Sequence, residues 1–496
     1  MRPPSPWTSL PVIGHLHLLH PLLHQSLQKL STIYGPIFHL KLGSVPSIIV
    51  SSPDLAKLFL KTNELTFANH RFNTIAMLHV TFDAPFATAP YGPYWKFIKK
   101  LCVTEILGAR SLNRLIPLRR RETHQLLTKL KLKADKGEVV NVTEELLTMT
   151  NDVISQMMIG KRCSDTDAEE VRGLVREVTQ IFGEFNVADF IWVCRNMDFN
   201  GYRKRFQDLR RRFDAFLERI ISAREEEITR QKQSKNISTD EDIELEDQPK
   251  CFLDTLLDVK KDENADIKLT RNQIKAVILD FLTAATDTSS SSIEWAMAEL
   301  INNPKVLKAA RDEIDSIIGS GRIVDESDVP NLPYMQAVMK ETYRLHPPIP
   351  LIIRRSFVPA VIGDYAVPAG TLLFVNTWAI GRNPKYWAKP TEFRPNRFLD
   401  GEAGSVVDLK GQHFELLPFG TGRRGCPGMM MALQELPMVV GAMIQCFDWK
   451  PVCPVTDDDD SVSVDMSERP GLTVPRKFDL LCVTRSRINS LDKIVE

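Results

Sequence analysis

The sequence predicts a mainly α-helical fold with a small β region. Three observations carry this. Leu269 to Leu300 is a helical run long enough to cross a whole domain. Asn141 to Glu227 keeps a helical pattern through most of its length, as in Phe213 to Ile220. Strand-like stretches are short: Ile37 to Val50, partly alternating around Gly43 and Pro46, and the apolar run Ile349 to Ile353.

A chain of 496 residues can hold a single large core, and apolar residues run evenly through it. The one linker-like stretch, Gln231 to Lys250, reads as a solvated loop inside that domain. We therefore expect a proline-rich leader over 1–14 and one catalytic domain over 15–496. Lys+Arg and Asp+Glu are balanced at 63 each, which argues against a nucleic-acid partner. None of the eight cysteines forms a C-x-x-C pair, so zinc and thioredoxin-type chemistry are poor readings and a reducing environment fits best. No signal peptide and no run of eighteen apolar residues is visible, so the chain as it stands reads as soluble.

In chain order, Pro3, Pro4, Pro6 and Pro11 make the leader stiff and extended. Pro53 to Lys61 reads as helix. Phe72 to Pro93 is irregular, interrupted by Pro85, Pro90 and Pro93, and a loop of that length is often a binding loop. Tyr94 to Leu101 is helical, with Trp95 and Lys99 on one face; by pattern alone this is an amphipathic helix with a basic edge. Gln180 to Asn186 is apolar and aromatic enough to line a pocket, and equally suited to a core.

The run from Leu269 opens with Thr270 and Gln273 in the spacing of a capping box. In its middle, Ala284-Ala285-Thr286-Asp287-Thr288-Ser289 has poor helix propensity, a conflict that tends to mark functional sites. A polar face packed on a neighbour is the alternative. Glu341 and Arg344 stand three apart on a helix whose apolar flanks suggest burial, where such a pair needs further hydrogen bonds. Pro347 to Arg355 is then forced into an extended path. The tetra-aspartate at 457–460 reads as a solvated hairpin tip.

Pro418 to Gly428 carries glycines at 420, 422, 425 and 428, so its backbone can approach a flat object closely. Pro427 suits the first turn of the helix that follows, which places Cys426 at a helix mouth. Backbone N–H groups there favour a thiolate, the electron-donating axial ligand that a haem iron uses. A buried structural thiol is the competing reading.

The ungapped pattern Phe419-Gly420-x-Gly422-x-Arg424-x-Cys426-x-Gly428 resembles the haem-binding loop of the cytochrome P450 monooxygenases. Three more motifs resemble that family in the right order: Ala284 to Ser289, Glu341-x-x-Arg344, and Phe393 to Phe398. The resemblance implies the cytochrome P450 fold, with haem b between the long helix and the Cys loop and Cys426 as its metal ligand. It implies cofactor contacts from Trp95, Lys99 (where the family usually has Arg), Ala284, Phe419, Arg424 and Gly428. One of Arg354 and Arg355 should reach a propionate, Arg355 being favoured. Asp287 and Thr288 would relay protons, and Ala285 stands where Gly is common. Arg397 would close on Glu341 and Arg344 as scaffold, with Asn396 where relatives often have Glu. Substrate contacts would come from Phe82, Phe185, Leu282, Ile349, Ile352, Ile353, Leu472 and Thr473.

The same resemblance implies O2 and NADPH as co-substrates, delivered through NADPH-cytochrome P450 reductase, with Lys96 and Lys100 suited to an acidic partner. It also implies a membrane anchor ahead of the proline-rich hinge, at the cytosolic face of the endoplasmic reticulum, the present chain being expected to begin at the hinge. Within the family the likeness is greatest to plant enzymes of the flavone synthase II kind, carried by Leu60 to Glu64, Ile154 to Met158, Val178 to Asn186 and Gly411 to Pro418. Such enzymes abstract hydrogen at C2 of a flavanone and introduce the C2–C3 double bond; flavanone 2-hydroxylases share nearly all these features. Isoflavone synthases usually carry Lys where this chain has Ile353, which argues against aryl migration. Two rivals stand in other classes: an O2-independent haem-thiolate isomerase or dehydratase, against which Asp287 and Thr288 speak, and a non-catalytic haem protein.

Overall fold

The computed structural model describes residues 3–69, 82, 86–163, 168–183, 189–191, 194, 201–237, 250–402, 404–452 and 463–488. Among them, ten helices run twelve residues or more: α1 Leu23–Tyr34, α2 Pro93–Glu105, α3 Ile116–Lys136, α4 Val142–Ile159, α5 Ala168–Gly183, α6 Tyr202–Ile237, α7 Arg271–Asn302, α8 Pro304–Ile317, α9 Pro333–Leu345 and α10 Met429–Cys446. The tetra-aspartate and all of the 72–93 loop before Phe86 except Phe82 lie outside the described residues.

The long helix α7 starts where its sequence says it should. Gln273 N–H donates to Thr270 Oγ1 at 3.2 Å, and Thr270 N–H donates to Gln273 Oε1 at 2.8 Å, so two orphan donors are satisfied reciprocally. Its C-terminal half, from Ser290 to Leu300, is buried throughout. Helices α4, α8, α9 and α10 pack on it, and with α3 they build the largest apolar cluster. Helix α10 is the one described helix long and apolar enough to cross a membrane, but 72% of it is buried inside the fold. It is hydrophobic all round because it is the centre of a core.

Nine short strands make the small β region: β1 Ile37–Leu42, β2 Val45–Val50, β3 Val139–Asn141, β4 Leu351–Arg355, β5 Ala360–Ile362, β6 Tyr365–Val367, β7 Leu372–Asn376, β8 Phe447–Pro451 and β9 Leu481–Ser486. The first sheet has the order β1-β2-β7-β4, the second β3-β9-β8, and β5-β6 is a hairpin. Gly43 makes the β1–β2 turn at φ 58°, and a Cβ there would overlap the Phe190 carbonyl. In β4, Ile353 sits opposite Phe374 and Arg354 opposite Leu373. The pleat therefore divides the strand: Leu351 and Ile353 join one apolar cluster, Ile352 joins another on the opposite face.

The expected helix from Pro53 is α-helical only to Lys57 and continues as a π turn over Leu58–Thr62. In the leader, Pro4 accepts from His39 N–H at 2.7 Å and the Pro6 carbonyl lies 3.1 Å from His15 Nε2, so this segment is laid against β1.

Candidate functional site around Cys426

The loop ahead of α10 is held by its own backbone and by one distant carboxylate. Cys426 N–H donates to Phe419 O at 2.9 Å, and Gly425 N–H to Gly422 O at 2.9 Å. Gly422 has φ 69°, and a Cβ there would overlap the Glu64 carboxylate. That carboxylate accepts from the Arg423 N–H and pairs with the Arg423 guanidinium at 2.5 Å. Only glycine at 422 lets Glu64 pin the loop.

The N–H groups of Gly428 and Met429 hydrogen-bond the sulfur, and Lys99 adds positive potential; all three favour thiolate. Burial nevertheless outweighs them and pushes the Cys426 thiol up. The residue also keeps accessible surface. Dense surroundings and accessible surface together mean that Cys426 faces an internal cleft, not the outer face of the protein. The helix-mouth N–H groups favour the thiolate as expected, burial opposes them, and a cation at the sulfur would tip the balance toward thiolate.

Beside the cleft lies a cluster of cations. Arg424 Nε donates to Ala68 O at 2.7 Å and Nη2 to Ala89 O, while its buried Nη1 has no hydrogen-bond partner. The guanidinium stacks 4.3 Å above the Trp95 ring, and a second cation, Lys99, lies 5.1 Å from the same ring. Lys99 donates to Arg423 O and to Gly425 O, the latter at 3.5 Å. Arg354 is buried, and its Nη2 reaches Arg424 O at 3.4 Å. Burial, together with the neighbouring Arg424 charge, lowers the Arg354 pKa to about 9, and burial lowers that of Arg424 to about 10. Such crowded, desolvated cations call for an anionic ligand. The two carboxylates of a haem answer that need, and Cys426 Sγ answers the iron, so these residues fit the group.

Strand alternation corrects one expectation here. Arg354, not the favoured Arg355, lies against Arg424; Arg355 is exposed on the far face of β4, near Gly370. The two differ because successive strand residues point to opposite faces.

Helix α7 supplies another wall. Ala284 is exposed although Leu282, Thr283 and Thr286 around it are buried. Its small side chain leaves the backbone open to close approach by a flat group. Thr288 Oγ1 donates to Ala284 O at 2.6 Å. Asp287 is held by the Thr473 hydroxyl; burial raises its pKa, and Thr473, Arg469 and Arg176 oppose that rise in turn. The same helix carries Asp280, one turn before Ala284. Its Oδ2 accepts from Phe86 N–H at 2.7 Å and Ala87 N–H at 2.9 Å. Phe86 stacks on Trp95 (6.4 Å, 18°), and Ala89 binds Arg424. Residues 86–89 thereby tie the long helix to the Cys loop. A second tie runs through Tyr343, which hydrogen-bonds Ser292 and meets the Phe419 ring edge-on at 5.2 Å.

Glu341, fully buried, accepts from Arg344 Nε at 2.7 Å and Nη2 at 2.8 Å, from Arg397 Nε at 3.1 Å and from Arg394 N–H at 2.7 Å. The remaining guanidinium hydrogens go to carbonyls, Arg344 to Pro390 at 2.6 Å and Arg397 to Ala388 at 2.8 Å. Both arginines lie over the Trp387 ring. Asn396 takes no part in these bonds.

Several expected substrate contacts sit elsewhere. Phe82 is 2% exposed and lies between Arg210 (5.5 Å) and Lys275 (5.8 Å), so it offers no face to a ligand. Leu282 is fully buried, on the side of α7 away from Ala284, where the apolar core takes it. Ile352 packs in the sheet cluster beside Gly420, and Ile353 belongs to the opposite face of β4. Thr473 is buried and spends its hydroxyl on Asp287. Ile349 keeps 38% of its surface and Leu472 is half-buried; both remain available to a ligand. Phe185 lies outside the described residues. Sequence reasoning missed Asp280, although a 3.6-residue stripe through Ala284 and Asp287 passes through it.

The sequence model described as Cytochrome P450 matches residues 4–480. The chain is 54% identical to cytochrome P450 93B2 of Gerbera hybrida over 492 residues, 99% of this chain and 92% of that protein. It is 47% identical to a 2-hydroxyisoflavanone synthase of Glycyrrhiza uralensis, over 99% of this chain and 93% of that protein. It is 46% identical to a 3,9-dihydroxypterocarpan 6A-monooxygenase of Glycine max, over 99% of this chain and 94% of that protein.

Proposed function

Because the chain belongs to the cytochrome P450 family, and is thus a haem-thiolate monooxygenase using O2 and NADPH through a reductase, we propose that it acts in plant flavonoid metabolism as a flavone synthase. The reaction removes the hydrogens at C2 and C3 of a flavanone. Flavanone, O2, NADPH and one proton give flavone, NADP⁺ and two waters, so atoms and electrons balance.

The observation that carries the enzyme class is Cys426, aimed with two backbone N–H groups into a cleft rimmed by Arg424, Arg354 and Lys99. The substrate class is supported by the names of the relatives, which make or oxidise oxygen-heterocyclic phenols of the isoflavanone and pterocarpan kinds. When bound, the haem supplies oxygen activation and the abstraction of hydrogen from carbon.

The chain's residues do the rest. Arg424 Nη1 and Arg354 would hold the haem propionates, whose charge would offset the cost of burying these cations. Thr288 keeps its hydroxyl proton aimed at Ala284 O and can turn it toward the cleft. Asp287, its carboxyl made more basic by burial, takes up a proton on the side where Arg469 and Arg176 lie and passes it toward Thr288. Ile349 and Leu472 give the substrate apolar surface. Lys96 and Lys100, exposed on one face of α2, suit the acidic surface of NADPH-cytochrome P450 reductase, and we place the protein at the cytosolic face of the endoplasmic reticulum.

Ile353 supports the absence of aryl migration only indirectly, since its face of β4 is not the one carrying Arg354. The test is a product assay: the haem-loaded chain, reductase, NADPH and naringenin should yield the flavone. Accumulation of 2-hydroxyflavanone would favour the 2-hydroxylase reading, and 2-hydroxyisoflavanone would replace both.

A further inference from the structure

Tyr343 of α9 touches both the Cys loop and the long helix. On one side its ring meets Phe419 edge-on at 5.2 Å and 65°, and the Phe419 carbonyl accepts the Cys426 N–H at 2.9 Å. On the other its hydroxyl hydrogen-bonds Ser292 of α7. The Ser292 hydroxyl proton is already given to Thr288 O at 2.7 Å, so Ser292 Oγ accepts and the Tyr343 O–H donates. Thr288 Oγ1 donates in turn to Ala284 O at 2.6 Å. An unbroken line of contacts therefore runs from the Cys426 N–H through Phe419, Tyr343 and Ser292 to the Thr288 turn.

That line is fixed at its middle and soft at its α7 end. Tyr343 and Ser292 are buried, at 3% and 2% exposure. Arg344, the residue after Tyr343, is held by Glu341 and by the carbonyls of Gly381 and Pro390, which braces α9. Hydroxyl bonds to the carbonyl four residues back loosen and bend a helix, and α7 carries three of them, from Thr288, Ser290 and Ser292. A turn so weakened takes its position from outside contacts. Burial raises the Tyr343 pKa, the Ser292 bond opposing and the Cys426 charge adding to the rise, so at neutral pH the phenol keeps its proton to donate.

We propose that Tyr343 is a positioning residue that locks the Cys426 loop to the Thr288 turn, its ring acting through Phe419 and its hydroxyl through Ser292. The proposal needs a haem-thiolate centre but no particular substrate, so it stands or falls apart from the flavone reading.

The test uses the reduced, carbon monoxide-bound holoprotein and times the conversion of its thiolate-type Soret band to the thiol-type band on mild warming. Tyr343→Phe removes the hydroxyl alone, Ser292→Ala removes its acceptor, and Tyr343→Leu removes ring and hydroxyl together. We expect Tyr343→Phe and Ser292→Ala each to shorten the half-life about five-fold, and the double variant no more than either, because the two side chains make one bond. Tyr343→Leu should show thiol-type band even before warming. An unaltered half-life in Tyr343→Phe, whatever happens to its denaturant midpoint, would leave Tyr343 a packing residue. A double variant whose loss is the product of the two single losses would make the residues independent. Either result overturns the proposal. Ser292→Ala keeps both rings, so it carries the test alone if the Tyr343 variants purify without haem, and an unaltered half-life there overturns the proposal as well.

Discussion

The Thr473 hydroxyl donates to the Asp287 carboxylate, joining the last turn-like segment of the chain to the middle of the long helix. Thr473 thus bears on the reaction through Asp287 and not through the substrate. A hydrogen bond to a charged group is worth about 1.5–3 kcal/mol. Thr473→Val should raise the Asp287 pKa further and slow proton delivery about ten-fold, consuming more NADPH per molecule of product. The substrate-induced spin shift and haem content should not change. An unaltered NADPH-to-product ratio would leave Thr473 a packing residue only.

Arg354 and Arg355 are neighbours with opposite fates, and their alanine variants should separate cleanly. Arg354→Ala removes a buried cation beside Arg424 and should lower the haem-to-protein ratio of purified protein. Arg355→Ala removes an exposed guanidinium and should not. Arg424→Ala should be the most damaging of the three, because its Nη1 is buried and without a hydrogen-bond partner among the described residues. The measurement is porphyrin absorbance against protein concentration. Equal loss in Arg354→Ala and Arg355→Ala would refute the assignment by strand face.

Local spacing made the Cys loop, the 284–289 stretch and the Glu341 pair readable, since each motif is a few consecutive residues with one geometry. Thr270 and Gln273 were readable for the same reason. The misjudged residues depend on which side of an element faces what. Nothing local tells whether Ile352 or Ile353 shares a face with the Cys loop; pairing of β4 with β7 decides it. Phe82 looks like a pocket aromatic until Arg210 and Lys275 close over it from α6 and α7. The Asp287–Thr473 bond spans 186 positions, and the Asp280 clamp on Phe86 spans 194, so neither leaves a trace in spacing.

Among the described residues, Glu341 is the sole carboxylate bonded to two buried guanidinium groups, Arg344 and Arg397. Glu341→Gln keeps the shape but leaves two desolvated cations without their counter-charge. Breaking a buried pair by removing one partner costs about 3–5 kcal/mol. The variant should unfold at markedly lower denaturant and lose haem during purification, since the Arg397 segment and Gly381 are braced by the same network. Exposed pairs such as Lys308–Asp312 provide the control: Lys308→Ala should shift the midpoint scarcely at all.

Glu435 on α10 lies near Arg119, but that guanidinium is already bidentate to Glu326, at 2.5 and 2.6 Å. Burial therefore dominates and raises the Glu435 pKa to about 8; Arg119 opposes the rise and Glu326 reinforces it. The ordinary value of its carboxyl is 4.5. As pH rises from about 4.5 to about 8, the unfolded chain gives up this proton while the folded chain holds it. The folded state then binds more protons, so this group makes stability fall with rising pH across that window. Glu435→Gln abolishes the titration. The variant should gain in melting temperature over the unsubstituted protein as pH increases from about 5 to about 8, and the gap should level off beyond. A gap that stays constant with pH would mean that Arg119 keeps Glu435 ionised throughout, and the sharing of one arginine by two carboxylates would need another account.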